Sequence, residues 1–490
     1  MIKILAGESV SKLDQLHCKN ANISSYELME KAAQEFEKWF YQQEFSKESP
    51  ILIFCGSGNN GGDGFAIARL LSQKNHKILV IKCFGDNSKL SADSSKNLEM
   101  LPTKVKEVFF KEFQAPSEPC IIIDAFLGVG LSGPLRDSAK PIIERMNSLQ
   151  GKKIAIDIPS GLPSEEMGSE LSFQSDVTVS FAFPKLALIL PENAETVGDL
   201  EVCDIGIPDT TYGEFEGSLY FIQAKDIPAL HKKFHRFSHK GDFGKILLVG
   251  GGHGKMGAII LAAKSALRTG SGLVTCHIEE SERLSIQAAL PEAMCNWGLI
   301  PNADYYDAVG IGPGWGIESR KNQLEALLKD FHFPIVLDAD GINILAKFPE
   351  LIPLVTKNSI LTPHIGEFQR LVGPASNHQE RMNQAKDFAI KHELILILKG
   401  ANTVISMPDG RQLINSTGTQ FMATGGAGDI LTGMITAYLG MGYSPESAAV
   451  CGVFHHGLAG ELAGKRKGRG TIAGDIIESI PETYFYLGIS

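Results

Sequence analysis

The sequence predicts two α/β domains in tandem, each an open parallel sheet between layers of helices. Three observations predict it. Short apolar runs alternate with stretches of helical periodicity, the βαβ rhythm that covers a parallel sheet with helices. The rhythm blurs across residues 204–240 and then resumes. Glycine-rich polar segments follow several of the apolar runs, where open parallel sheets bind ligands.

In the first series, Ile51–Cys55, Lys77–Cys83, Cys120–Asp124, Lys153–Asp157 and Val177–Phe181 read as buried strands. Phe65–Gln73 and Ser138–Leu149 read as helices between them. DIGIPDTTYGEFEG (204–217) then gives way to a His- and Lys-rich stretch, HKKFHRFSHKGDFG (231–244). This places a boundary near residues 217–225, with domains over 1–217 and 225–490. The second series runs through Lys245–Val249, Gly272–Ile278, Ala308–Gly312, Pro334–Asp338, Ile360–Thr362, Leu394–Leu398 and Thr403–Ser406. Its helices are Ala258–Arg268, Gln379–Lys391, Asp429–Leu439 and Pro445–Ala463. The halves are not repeats of each other, and no period of 20–50 residues is present.

Composition narrows the function. A chain of 490 residues fits two or three domains of ~150 residues. With Lys+Arg 46 against Asp+Glu 56, the net charge is −10. That argues against a nucleic-acid or anionic-membrane partner, because both need a positive surface. Apolar runs such as Ile51–Cys55 and Ala258–Ala263 fall far short of the ~20 residues of a spanning helix. The start, MIKILAGESVSKLDQ, carries no export pattern. Eight scattered cysteines make no CxxC pair, so a reducing cytoplasm is expected. Glycine is abundant, at 51 residues.

The first strand runs into CGSGNNGGDGFAIARL. Gly56, Gly58, Gly61, Gly62 and Gly64 clear the backbone, and Asn59, Asn60 and Asp63 supply polar groups before a helix. Such a turn can hold an anion on its amides; alone, it could also be a glycine turn with an Asp cap. Asp124 and Asp157 each close an apolar run, and Ser160 follows the second. Asn60, Asp124 and Ser160 could converge as oxygen ligands of a hard cation, and Asp157 could act as acid or base. Each Asp taken singly could equally cap a helix.

The second half opens with KILLVGGGHGKMGAII, a formal GxGxxG at Gly252, Gly254 and Gly257 with Glu279 after the next strand. A lone fingerprint of this kind is weak. Further on, ATGGAGDILTG puts Gly425, Gly426 and Gly428 before Asp429 at a helix start. Amides there can stabilise phosphate charge, and Asp429 can take a proton from an attacking hydroxyl. Lys399–Thr403 lie on a strand–turn–strand, and Thr362, His364 and Glu367 follow another strand. No GxxxxGK[ST] occurs, so any ATP or ADP chemistry is not of the P-loop kind. His231, His235 and His239 read as a solvated linker, and KRKGR (465–469) as an exposed loop after a helix.

These motifs carry a resemblance. GSGNNGGDG (56–64), DAFLGVGLSGP (124–134), IDIPSG (156–161), FPKLAL (183–188) and GDLEVCDIGIP (198–208) occur in order, followed by KGDFGKILLVGG (240–251), GIGPGWG (310–316), LDADGIN (337–343), LTPHIGEF (361–368), LKGANTVI (398–405) and ATGGAGDILTG (423–433). Over nearly its full length the chain resembles the two-domain bifunctional NAD(P)H-hydrate repair family. The resemblance implies a Rossmann-like epimerase domain and a ribokinase-like dehydratase domain. The first would interconvert the R and S forms of NADH or NADPH hydrated at C6. The second would dehydrate the S form at the expense of ADP or ATP with Mg²⁺.

The resemblance also implies roles. Asn59, Asn60, Gly61, Gly62 and Asp63, then Gly128, Val129, Gly130, Leu131, Ser132, Gly133 and Pro134, with Asp157, would contact the hydrate in the epimerase. Asn60, Asp124 and Ser160 would bind K⁺. In the dehydratase Ala258, Gly314, His364 and Asp429 would contact the hydrate, while Lys399, Gly400, Ala401, Asn402, Thr403 and Gly428 would contact the nucleotide. Asp429 and Asp157 would carry the chemistry. A homo-oligomer is also implied. Thr419, Gln420 and Phe421 depart from the family's glycine-rich turn, which puts nucleotide preference in question. Two other readings stay open: a ribokinase-like vitamin-precursor kinase, which GGAGD alone would suit, and a first half that binds without catalysing.

Overall fold

Ile51–Cys55 is buried at all five positions because it lies mid-sheet, with helices over both faces. The computed structural model describes every residue except 44, 47, 86, 131, 132, 166–170, 300, 301 and 490. It divides into two units, Ile2–Gly217 and Ser218–Ser490 together with Met1.

In the first unit the strand order is Lys106–Phe109, Ile78–Lys82, Ile51–Cys55, Cys120–Ala125, Gly151–Ile156, Val177–Phe181 and Asp199–Cys203, all parallel. Alternate residues feed two cores. Ile51, Ile53, Ile121 and Ile123 pack with Phe36, Phe40 and Ile67 from the helices Ser25–Gln42 and Asn59–Gln73. Leu52, Phe54 and Ile122 pack with Ile142, Ile143 and Met146 of Lys140–Ser148. The chain leaves Ile51–Cys55 toward one edge and returns to its other side at Cys120–Ala125. That reversal opens the crevice where doubly wound sheets bind ligands.

The helix after the first strand starts at Asn59, not at Phe65, with Gly58 as its cap. Asn59–Asp63 are therefore the opening turn of a helix rather than a loop before one. Glycine allows it: a Cβ on Gly61 would run into the Gly56 carbonyl, and one on Gly64 into Ala125 and Cys55. The helix starts tight against the strand ends only because those side chains are missing.

In the second unit the order is Leu219–Phe221, Gln412–Ile414, Val404–Ser406, Ile395–Leu398, Ile360–Leu361, Val336–Leu337, Ala308–Ile311, Lys245–Val249, Leu273–His277 and Met294–Asn296. Among these strands only Val404–Ser406 runs antiparallel to its neighbours. Ile246, Leu248, Val336 and Ile360 share a core with Ile259, Ala262, Ile435 and Phe454 from the helices Met256–Thr269, Ala427–Gly440 and Pro445–Lys467. Successive strands are added to one side of Lys245–Val249 and then, from Ala308–Ile311, to its other side. The loops after these two strands meet there, with Gly251 N donating to Pro313 O (2.9 Å) and Gly252 N to Gly314 O (2.6 Å).

Two surface readings change. His231 is not a solvated linker residue. Its Nε2 lies 2.9 Å from His455 Nε2 and its Nδ1 3.1 Å from Tyr443 Oη, within a cluster that includes Tyr438 and Tyr484; His235 and His239 are exposed. Lys465–Lys467 are not a loop but the last turn of Pro445–Lys467, where cations meet the negative helix end.

Candidate active sites

In the first unit, a cavity of about 1310 Å³ opens at the switch point. Asn59, Asn60 and Asp63 line it from the helix start, Gly128, Val129, Gly130 and Pro134 from the loop after Cys120–Ala125, and Asp157 from the end of the next strand. Gly61, Gly62 and Gly133 belong to the same two segments. Leu131 and Ser132 lie outside the described residues.

Asp124 is fully buried. Its Oδ1 accepts from Ser160 Oγ (2.6 Å) and Phe126 N (3.0 Å), and its Oδ2 from Ser160 N (2.7 Å). Ser160 Oγ in turn accepts from Leu127 N (2.8 Å), and Asn60 Nδ2 donates to Leu127 O (2.9 Å). The three residues proposed from sequence thus converge, two directly and Asn60 through Leu127. Burial pushes the Asp124 carboxyl up to about 6, against its hydrogen bonds. The donor set is all oxygen, around a buried carboxyl that has no basic side chain among its described partners. This is the chemistry a K⁺ ion would complete.

Asp157 follows its strand in the left-handed region, φ +65°, which for a residue other than glycine is a sign of constraint at a working site. Its Oδ1 contacts Lys185 Nζ and accepts from Phe181 N (3.1 Å) and Ser180 Oγ (3.4 Å). Lys185 and Asp14 also line the cavity. Sequence reasoning passed over both. Lys185 sits inside the quoted FPKLAL, but a lysine in an apolar stretch gives no sign of its burial. Asp14 comes from Gly7–Ala21, far from any motif. Burial lifts Asp14 to about 6 and Asp63 well above the carboxylate range, and the Asp157 charge adds to both.

The second site forms where four segments meet. Asp429 is in the first turn of Ala427–Gly440, whose cap, Gly426, takes φ +92°. Burial, then the Asp338 charge, push its carboxyl up to about 7. Asp338 stands at the N-cap position of the helix Ala339–Lys347 and is 1% exposed. Lys399 Nζ donates to its Oδ1 (2.8 Å) and Thr432 Oγ1 to its Oδ2 (2.6 Å). Burial alone would raise the Asp338 carboxyl, but Lys399 and these hydrogen bonds hold it below the usual range. Lys399 Nζ is also 3.9 Å from Glu367. A Cβ on Gly428 would sit 3.2 Å from Lys399 Nζ, so the helix start and this lysine are adjacent.

His364 caps Ile365–Val372, its Nδ1 accepting from Gly366 N (3.0 Å) and Glu367 N (3.3 Å). Nε2 therefore carries the proton, on a side chain that is 55% exposed. Gly314 packs against Ala258, whose Cβ would be 3.1 Å from a Cβ there. Gly400, Ala401, Asn402 and Thr403 form the turn between Ile395–Leu398 and Val404–Ser406, closed by Thr403 Oγ1 on Gly400 O (3.0 Å). Gln420–Met422 form a short 3₁₀ turn, in which Phe421 lies against Gly464. Asp338 was visible only as the end of a strand, and its ion pair needed the fold.

Two α/β units, each with a cluster of buried carboxyls beyond its strand ends, define the class as an α/β enzyme. A family model described as YjeF-related protein N-terminus matches residues 25–187, and one described as NAD(P)H-hydrate dehydratase matches residues 246–482. The bifunctional NAD(P)H-hydrate repair enzyme Nnr of Moorella thermoacetica is 33% identical over 512 residues, covering 98% of this chain and 96% of that protein. The Escherichia coli enzyme of the same name is 32% identical over 438 residues, covering 88% and 84%. The ADP/ATP-dependent NAD(P)H-hydrate dehydratase of Bacillus subtilis, co-crystallised with ATP and Mg²⁺, superposes with a TM-score of 0.50 at 31% identity, over 55% of this chain and 98% of that one. A ribokinase-like protein of Enterococcus faecalis shares the fold, with a TM-score of 0.50 at 22% identity, over 56% and 98%. The chain belongs to the family of bifunctional NAD(P)H-hydrate repair enzymes. No helix among the described residues is long and apolar enough to cross a membrane.

Proposed function

We propose that this chain repairs hydrated NADH and NADPH at two sites: residues 1–217 interconvert the R and S hydrates, and residues 225–490 dehydrate the S form using ADP or ATP. The observation that carries the reading is the end-to-end match to bifunctional relatives by a chain with a separate acid–base site in each unit.

At the dehydratase site the obstacle is a poor leaving group, hydroxide at C6. Asp429 takes the hydroxyl proton as its oxygen attacks the terminal phosphate, and the amides at Gly426–Gly428 stabilise the transferring group. Phosphate then leaves C6 as a proton is lost from C5, which restores the ring double bond. Ala258, Gly314 and His364 hold the hydrate, with His364 donating from Nε2. Lys399–Thr403 and Gly428 hold the nucleotide. Mg²⁺ would ride mainly on the nucleotide phosphates; the described residues contain no ready cluster of three metal-ligating side chains.

At the epimerase site water leaves C6, and water returns to the opposite face of the planar ring cation. One group must supply a proton and another remove one. Asp157 is the carboxylate for this work. Asn59–Asp63 and Gly128–Pro134 bind the hydrate, and Asn60, Asp124 and Ser160 would hold K⁺, a counter-charge for the Asp124 carboxylate. The chain is further proposed to act in the cytoplasm as a homo-oligomer.

The test is recovery of NADH absorbance from hydrated NADH by the purified chain, with ADP, with ATP and with neither. Recovery from both epimers with nucleotide alone supports the reading. Net formation of a stable phosphorylated product instead of free phosphate would favour the small-molecule kinase.

A further inference from the structure

Lys185 is 2% exposed, yet it lines the cavity of the first unit. An ammonium has three donors. Here they face three acceptors: Asp157 Oδ1, Ser180 Oγ (3.1 Å) and Phe181 O (3.2 Å). Its ring neighbour is Phe183, 5.1 Å to the centroid. Lys185 thus has no donor left for a substrate.

Its effect falls on Asp157 instead. Lys185 Nζ, Phe181 N and Ser180 Oγ all address Oδ1, and none of these bonds uses Oδ2. The carboxylate is pinned through one oxygen, and the other is left to exchange a proton. The pinning matters because the surroundings are acidic. Asp14 approaches from Gly7–Ala21 and Asp63 from Asn59–Gln73, with Asp93 of Ala92–Glu99 close enough to act on Asp63. Asp14, Asp63 and Asp93 all line the same cavity as Asp157. Like charges this close disfavour one another's ionised form. Asp157 is the carboxyl beside the buried ammonium, while burial and then the Asp157 charge raise Asp14 and Asp63. Environments that push neighbouring carboxyls apart in this way separate base from acid.

We propose that Lys185 is a positioning residue for proton transfer: it fixes Asp157 as the charged carboxylate of the cavity, with Oδ2 free, while Asp14 and Asp63 are the proton-bearing neighbours. This rests on the epimerase reading of the first unit.

The test follows epimerisation of separated R and S hydrates across pH in K185M, K185R, D157N and K185M/D157N, in the full chain. In K185M, Asp157 sits among acids with no counter-charge, so it keeps its proton to higher pH. The acid limb of the kcat profile should move up by about one unit, with kcat at neutral pH down about tenfold and KM little changed. K185R keeps the charge and should restore the wild-type limb. Adding K185M to D157N should change nothing further. The inference is overturned if K185M keeps the wild-type pH profile, if its loss appears in KM, if it adds in full to D157N, or if folded K185R matches K185M at every pH. Failure of the wild-type chain to epimerise would overturn the epimerase reading itself.

Discussion

Lys399 and Asp338 form a buried ion pair, Nζ to Oδ1 2.8 Å, beside the helix start that carries Asp429. The pair does two things. It places a cation where phosphate charge would gather, and it keeps a negative neighbour next to Asp429. That neighbour, after burial, is the main reason the Asp429 carboxyl stands near 7.

Removing the neighbour should make Asp429 ionise more easily. With Asp429 as the proposed base, dehydratase activity should rise with pH through about 7. D338N deletes the like charge and frees Lys399, and both lower the Asp429 pKa. The acid limb of dehydration should therefore move to lower pH, while affinity for the nucleotide weakens as Lys399 loses its anchor. A pH profile of S-hydrate dehydration measures both.

Gly61 is a steric requirement of the first site. A Cβ there meets the Gly56 carbonyl, so G61A must push the helix start away from the strand end, at about 1–3 kcal/mol. Epimerisation should fall by tenfold or more. Dehydration of purified S-hydrate, which uses the other unit, should be unchanged.

How much of this was legible beforehand depended on whether the signal was local. The strands were visible because buried parallel strands are short apolar runs, and Asp124 and Asp157 stood out as charges closing such runs. The helix at Asn59 was read as a loop because glycines and asparagines are poor helix formers; packing against Gly56 and Ala125 overrides that preference. His231 looked solvated because its partners, Tyr443 and His455, lie more than two hundred residues away. Lys185 lies 28 residues from Asp157, and nothing in FPKLAL reveals that its ammonium turns inward.

With K⁺ held by Asp124 as proposed, potassium dependence should vary with pH. Its folded carboxyl sits near 6, above the ordinary 3.8, so the folded state binds the extra proton between about 4 and 6. Its contribution to stability is therefore lost as pH rises through that window. A bound cation offsets this. K⁺ in place of choline should raise the temperature at which epimerase activity is lost at pH 7.5, by about 5 °C if K⁺ is well above its Kd. The gain should shrink near pH 5, where K⁺ must displace a proton, and vanish in D124N.

The His231–His455 pair should make the second unit acid-sensitive. Thr483 Oγ1 donates to Ile480 O (2.6 Å) and so accepts from His455 Nδ1 (2.6 Å), which leaves His455 Nε2 to accept from His231. The ring-to-ring bond is lost when both rings are charged, and burial pushes His231 down to about 4 and His455 to about 3. The unfolded rings titrate near 6.5, so the unfolded state binds more protons below that pH and stability falls as pH drops toward 4. H455F leaves His231 without its partner. It should cost about 1–3 kcal/mol at pH 7.5 and flatten the acid dependence, both readable from thermal melts.

One chain is proposed to carry two independent sites, and the most direct measurement separates them. D429N and D157N are each incubated with resolved R and S hydrates of NADH, ADP and Mg²⁺, and both epimers and NADH are followed by chromatography. D429N should interconvert the epimers and make no NADH. D157N should convert S to NADH and leave R beyond its spontaneous rate. Loss of both activities in either folded variant would contradict two separate sites.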